Sequence, residues 1–149
     1  MSKKRSVVVD LNNVLETMDK IDQFVEGMDY EDFLEDEKTM FAVSKAIEII
    51  GETLKHIPED IKERYSIVPW EDIYGMRNFL AHNYFGADID EVWETVKEDI
   101  PKLRQTIAKI LEEEKTKIEE SEIDQKENGE SGVGEAVRFW GNVGGAWLY

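Results

Sequence analysis

Met40, Val43, Ile47, Ile50, Leu54 and Ile57 recur at intervals of three, four, three, four and three residues. That alternation lines one face of an α-helix and cannot serve the two-residue period of a strand. The spacing predicts a long helix that stops before Pro58, whose ring has no N–H to donate. An earlier stripe, Leu11, Val14, Leu15, Met18, Ile21, Val25 and Met28, predicts a first helix that ends near Gly27. Residues 30–35 read as a polar-aromatic connection with one helical turn, and residues 59–64 as a short helix after the proline. Pro69 suits the first turn of a further helix, closed by Gly86. Asp88 is placed to cap a last helix whose stripe runs Ile89, Val92, Trp93, Val96, Ile100, Leu103, Ile107, Ile110. Pro101 falls inside that stripe and predicts a kink or a loosened turn. No segment alternates as a strand. The expected fold is all-α: an up-and-down bundle of four main helices plus a short one. The two coiled-coil-like stripes further predict a homodimer, one facing its own bundle and part of the other a second subunit.

Composition narrows the function classes. With 149 residues the chain is one domain's worth, able to bury an ordinary core. It has no cysteine, so disulfides and thiolate metal sites are excluded. No apolar run approaches the roughly 20 residues that span a bilayer. The basic and then apolar start, Lys3 to Val9, is interrupted by Asp10 well short of a signal-peptide core, and the expectation is a cytoplasmic protein without membrane contact. A formal charge of −16 argues against broad affinity for DNA or RNA, which needs basic surface. Any nucleic-acid site must be a small local cleft, and no DNA partner is expected. Residues 1–110 carry a balance of −10 and residues 111–149 one of −6. From Glu112 the stripe dissolves into Lys and Glu, and the last 21 residues hold 6 of the 10 glycines. This divides the chain into a helical domain, 1–113, and a tail, 114–149. The tail reads as an acidic helix leaving the body, then a disordered stretch over 121–138 and an aromatic end.

One segment breaks the helical pattern. Trp70, Ile73, Leu80 and Tyr84 form a stripe whose missing member is Arg77. A guanidinium on a core-facing stripe must regain its lost hydration from a carboxylate, a carbonyl or a phosphate. His82, one of two histidines, lies five residues on. At about 100° per residue, Arg77 and Tyr84 fall within about 20° of one another, with His82 rotated about 140° from Arg77. One rigid helix does not bring the three groups to one atom; unwinding beyond Ala81 or pairing across a two-fold axis would. Arg and His without a protein nucleophile suit RNA, which carries its own in the 2′-hydroxyl. His82 would move the proton and Arg77 would clamp the phosphate. The two histidines, 26 positions apart, do not have metal-ligand spacing, so neither metal nor cofactor is expected. Structural readings stand beside this one. Arg77 could pair with Glu48 or Glu52, His82 could meet a helix dipole, Tyr84 could be core, and Asn78 could be surface or orient Arg77. His56, beside Ile57-Pro58, reads as structural.

Arg77, four residues, His82, one residue, Tyr84 resembles the Arg-x4-His-x-Tyr motif of the HEPN superfamily, in particular its HepT toxin group. Asn78 after the arginine fits as well. So do, in the same order, Asp36 to Thr39, Glu48 to Glu52, Ile67 to Trp70, Gly75 to Asn78, His82 to Gly86 and Val92 to Val96; the likeness covers about residues 8–113. The resemblance implies a HEPN-like helical homodimer with a composite cleft and metal-independent endoribonuclease activity. It implies Arg77 and His82 as catalytic, Asn78 as supporting, and an antitoxin partner, the small nucleotidyltransferase MntA, which moves AMP from ATP onto the motif tyrosine, here Tyr84. The tail from about 114 departs from the group's pattern. A second reading, from a different class, is a non-catalytic HEPN subunit that docks a nucleotidyltransferase or a nucleotide in its dimer groove.

Overall fold

The computed structural model describes residues 3–73 and 89–127. Every regular element among them is helical. Helix α1 (Lys3–Phe24) is followed by α2 (Tyr30–Glu35), α3 (Glu37–Lys55) and α4 (Glu59–Arg64). Residues 70–73 begin another helix after Pro69. Beyond the segment 74–88, α5 (Ile89–Glu94) passes through one π-helical turn (Thr95–Asp99) into the 28-residue α6 (Ile100–Glu127). Gly86 and Asp88, expected as helix stop and cap, lie outside the described residues.

The three long helices form the core. Helix α1 packs against both α3 and α6. Its buried face runs Val7, Leu11, Val14, Met18, Ile21, Val25, so the apolar start noted in the sequence is the first core turn of α1. Helix α3 buries Val43, Ala46, Ile47, Ile50 and Leu54, continued by Ile57. Leu15, Met28 and Met40 of these stripes are only partly buried. Burying the other side chains inside the bundle removes them from water, the dominant favourable term in folding. Exposed apolar side chains lie off the stripes, at Phe24, Leu34, Ile49, Ile67 and Ile123.

Polar side chains set the helix boundaries. Gly27 ends the first helical segment at φ +75°, a left-handed conformation that glycine adopts without Cβ strain. Asp29 and Asp32 form a reciprocal capping box at the start of α2, each carboxylate accepting the other's backbone N–H at 2.8 and 3.1 Å. Asp36 caps α3 by accepting from the Thr39 N–H at 3.0 Å, and that bond holds its carboxyl below the usual range. Six-residue α2 is marginal alone. Its fully buried Phe33 lies 5.0 Å from Trp93 of α5, centroid to centroid, and Lys97 covers that indole at 4.7 Å.

The loosened turn expected at Pro101 is present. The Ile100 N–H donates to the Thr95 carbonyl, five residues back. Proline has no N–H for the carbonyl of Lys97 and its ring crowds that oxygen, and a widened turn relieves the crowding.

The end of the chain corrects an expectation. Instead of leaving the body, α6 continues unbroken past residue 113 to Glu127, with Glu114, Ile118 and Glu122 buried. Arg5 near the start of α1 pairs with Glu122. Residues 121–127, expected to be disordered, are helical, because the ion pair gives the polar face something to pack on. The remainder of the tail lies outside the described residues.

Candidate functional site

Arg77, Asn78, His82 and Tyr84 lie outside the described residues; the described frame is the helix start at 70–73 that precedes them in the chain. Ile57 and Ile61 anchor α4 in the core, and α4 ends at Arg64. The chain then turns: the Val68 N–H donates to the Tyr65 carbonyl at 3.0 Å, and the Trp70 N–H to the Val68 carbonyl at 2.8 Å. The Pro69 carbonyl takes the first helical bond, from the Ile73 N–H at 3.1 Å. Pro69 thus stands at the helix start as the sequence predicts, where its missing N–H costs nothing. Val68, Trp70 and Ile73 are all buried, which makes the first two members of the motif stripe core residues. The Trp70 indole N–H donates back to the Tyr65 carbonyl at 3.2 Å, so one oxygen receives two donors and fixes the approach to the helix.

Tyr65 is held at its other end by a residue the sequence reading passed over. Glu114, on α6, is wholly buried. Its Oε1 accepts from the Tyr65 hydroxyl at 3.0 Å, from Arg64 Nη1 at 3.0 Å and from Lys117 Nζ at 3.3 Å. Lys117 also lies over the Tyr65 ring, 5.5 Å from its centroid. A carboxylate without water needs such donors; Oε1 has three, while the buried Oε2 has no hydrogen-bond partner among the described residues. Burial, with the carboxylates of Glu113 and Glu114 alongside, pushes the Tyr65 phenol well above its ordinary range, so it remains a donor. The signal was available: Ile107, Ile110, Leu111, Glu114 and Ile118 share one helical face, and an acid there is the same anomaly as Arg77 on its own stripe.

The two acids weighed as partners of Arg77 both lie on α3. Glu48 pairs with Lys45 at 3.8 Å on the surface of α3. Glu52 Oε1 lies 3.2 Å from His56 Nε2. His56 is exposed at the C-terminus of α3, where its backbone N–H donates to the Thr53 and Leu54 carbonyls, which agrees with a structural role. Half-buried Asp10 of α1 has its carboxyl raised by burial, an effect His56 only partly offsets.

A groove of about 500 Å³ lies between the start of the motif helix and α6. Val68, Pro69 and Ile73 face Ile100 and Leu103 across it, with Asp72, Asp99, Lys102 and Lys109 at its polar edges. Among the described residues no cluster of His, Asp and Glu has the geometry to hold a metal, and no helix is long and apolar enough to cross a membrane.

Comparison with known proteins adds to this frame. Residues 14–110 match the family model described as ribonuclease HepT-like. The chain is 41% identical over 118 residues to a protein of Methanocaldococcus jannaschii named as a candidate RNase; the match covers 79% of this chain and 98% of that protein. It is 45% identical over 107 residues to a protein of Thermococcus cleftensis named probable ribonuclease HepT, covering 72% of this chain and 97% of that one. A further protein named as a candidate RNase, from Caldanaerobacter subterraneus, is 38% identical over 105 residues, 70% of this chain and 94% of its own length. No solved structure matches.

Proposed function

The chain belongs to the HepT-like ribonuclease family, and from that premise we propose that it is a metal-independent endoribonuclease toxin working as a homodimer. Arg77 and His82 carry the reaction. The RNA 2′-hydroxyl gives its proton to an imidazole and attacks the adjacent phosphorus. The 5′-oxygen of the next nucleotide leaves with a proton, producing a 2′,3′-cyclic phosphate and a free 5′-hydroxyl. Arg77 holds the phosphorane oxygens through charge-assisted, bidentate hydrogen bonds, which strengthen as negative charge develops. His82 has the pKa class that lets it accept and return a proton near neutral pH. Asn78 orients the guanidinium. Pairing two copies across a two-fold axis overcomes the rotation between Arg77 and His82 on one helix.

Control comes from a nucleotidyltransferase antitoxin of the MntA kind. The Tyr84 oxygen attacks the α-phosphorus of ATP and pyrophosphate leaves, so an AMP stays on the tyrosine. The added phosphate competes for the arginine that the substrate needs.

The observation that supports this reading is the Arg-x4-His-x-Tyr spacing, which begins four residues beyond the buried Ile73. Arg77 follows Ile73 by four residues, and Trp70 and Ile73 of that stripe are core. An arginine at the next position of that sequence pattern has a reason to be there if an anion comes to it. The test is RNA cleavage by the purified protein. Arg77→Ala and His82→Ala should each lower the rate by about 10²–10⁴-fold, the usual worth of a positioned acid–base or charge-stabilising group. Undiminished cleavage by both variants would refute the enzyme reading in favour of a non-catalytic docking subunit. Incubation with the antitoxin and ATP should add AMP-sized mass to the wild type and none to Tyr84→Phe.

A further inference from the structure

Glu114 lies beyond residue 110, where the family match ends, yet it reaches the turn that launches the motif helix. Three contacts run in series. The Glu114 carboxylate holds the Tyr65 hydroxyl and Arg64 at 3.0 Å each. The Tyr65 carbonyl holds the Trp70 indole at 3.2 Å. Trp70 is the first helical residue of the segment that leads to Arg77. Each contact is directional, and the first is wholly removed from water on the acid's side.

We propose that Glu114 is a positioning residue for the motif helix, setting the placement of its first residue, Trp70, through Tyr65. Apolar packing alone would hold this turn loosely, since hydrophobic contact has no preferred direction. A hydrogen-bonded carboxylate allows little sliding or rotation. Small displacements of groups that must meet a reacting phosphate are costly to rate, and a 1 Å misplacement remote from the chemistry can cost about 10²-fold. The C-terminal helix thereby becomes part of the catalytic framework. The kinetic arm rests on the ribonuclease reading; the placement of Trp70 does not.

The experiment compares full-length wild type, Glu114→Met, Glu114→Gln, Tyr65→Phe and Ile118→Ala. Two readouts are taken well below each variant's melting temperature. Hydrogen exchange of the Trp70 indole N–H, assigned with Trp70→Phe, reports the launch turn directly. Initial rates against RNA concentration report kcat and KM separately. Glu114→Met keeps volume but not the acceptor, and should speed indole exchange at least tenfold and lower kcat about tenfold, with KM within twofold. Glu114→Gln keeps an acceptor oxygen and should restore most of both. Ile118→Ala should lower the melting temperature while leaving both readouts near wild type. Tyr65→Phe, which removes only the hydroxyl, should move both readouts severalfold in the direction of Glu114→Met and decides the matter if the latter does not fold. Unchanged indole exchange in Glu114→Met and Tyr65→Phe would overturn the proposal. So would an equal loss of kcat in Ile118→Ala, which would mean stability and not position. If the wild type cuts no RNA while the indole responds as expected, the positioning role stands and the ribonuclease reading falls.

Discussion

The two halves of the last helix do the same task by different physics. From Ile100 to Leu111 the buried face is apolar, with Ile100, Ile107, Ile110 and Leu111 packed on the core. From Glu114 to Glu122 the face continues at the same period, but two of its three buried members are carboxylates matched to bases. The first half contributes stability without strict geometry. The second contributes geometry, and much of its interaction energy is offset by the cost of taking charge out of water. A helix can thus be held firmly along its length while only one end dictates where its neighbours sit.

Substitutions in each half can break that contrast. Ile107→Ala should cost the most, about 3 kcal/mol, from lost burial plus the cavity left behind, measured by urea unfolding. Glu114→Ala should cost less, about 2 kcal/mol, because Arg64 and Lys117 keep 41% and 35% side-chain exposure and can return to water. A larger loss for Glu114→Ala than for Ile107→Ala would invert the comparison. Tyr65→Phe should cost about 1 kcal/mol, the net worth of one hydrogen bond. On the outer face, Arg104 bridges Asp19 at 3.4 Å and Asp22 at 2.6 Å. Arg104→Ala should cost under about 1 kcal/mol, and added salt should erase the difference.

Asp10 of α1 is a half-buried acid without a set of donors like that of Glu114, among the described residues, to offset its burial. Asp10 has its carboxyl raised by burial above its ordinary 3.8, an effect His56 only partly offsets. The folded state therefore favours the protonated form. Its penalty is full above the folded-state value and absent below 3.8. Asp10→Asn should raise the melting temperature slightly at pH 7, and the gain should vanish as pH falls through that window.

Much of this architecture follows from local pattern. The three-four repeat of α3, its stop before Pro58, the single turn of α2 and the short α4 were all legible, as was the disturbed turn before Pro101. The Arg-x4-His-x-Tyr spacing was legible too, because motif chemistry is written in adjacent positions. Glu114 was not noticed, although an acid on an apolar stripe announces a buried partner. The sequence contained that signal but not its answer, since Tyr65 and Arg64 stand 49 and 50 residues away.

From the residues alone came the helical class, the stop of α3 before Pro58 and the apolar faces of the long helices, because backbone hydrogen bonding and side-chain period act over a few residues. Only the packed chain decided that the acidic end of α6 lies against α1 and the turn before Trp70. Periodicity names the side of a helix that must be buried. What lies opposite depends on which distant segments meet there, and on whether a charge finds its counterpart.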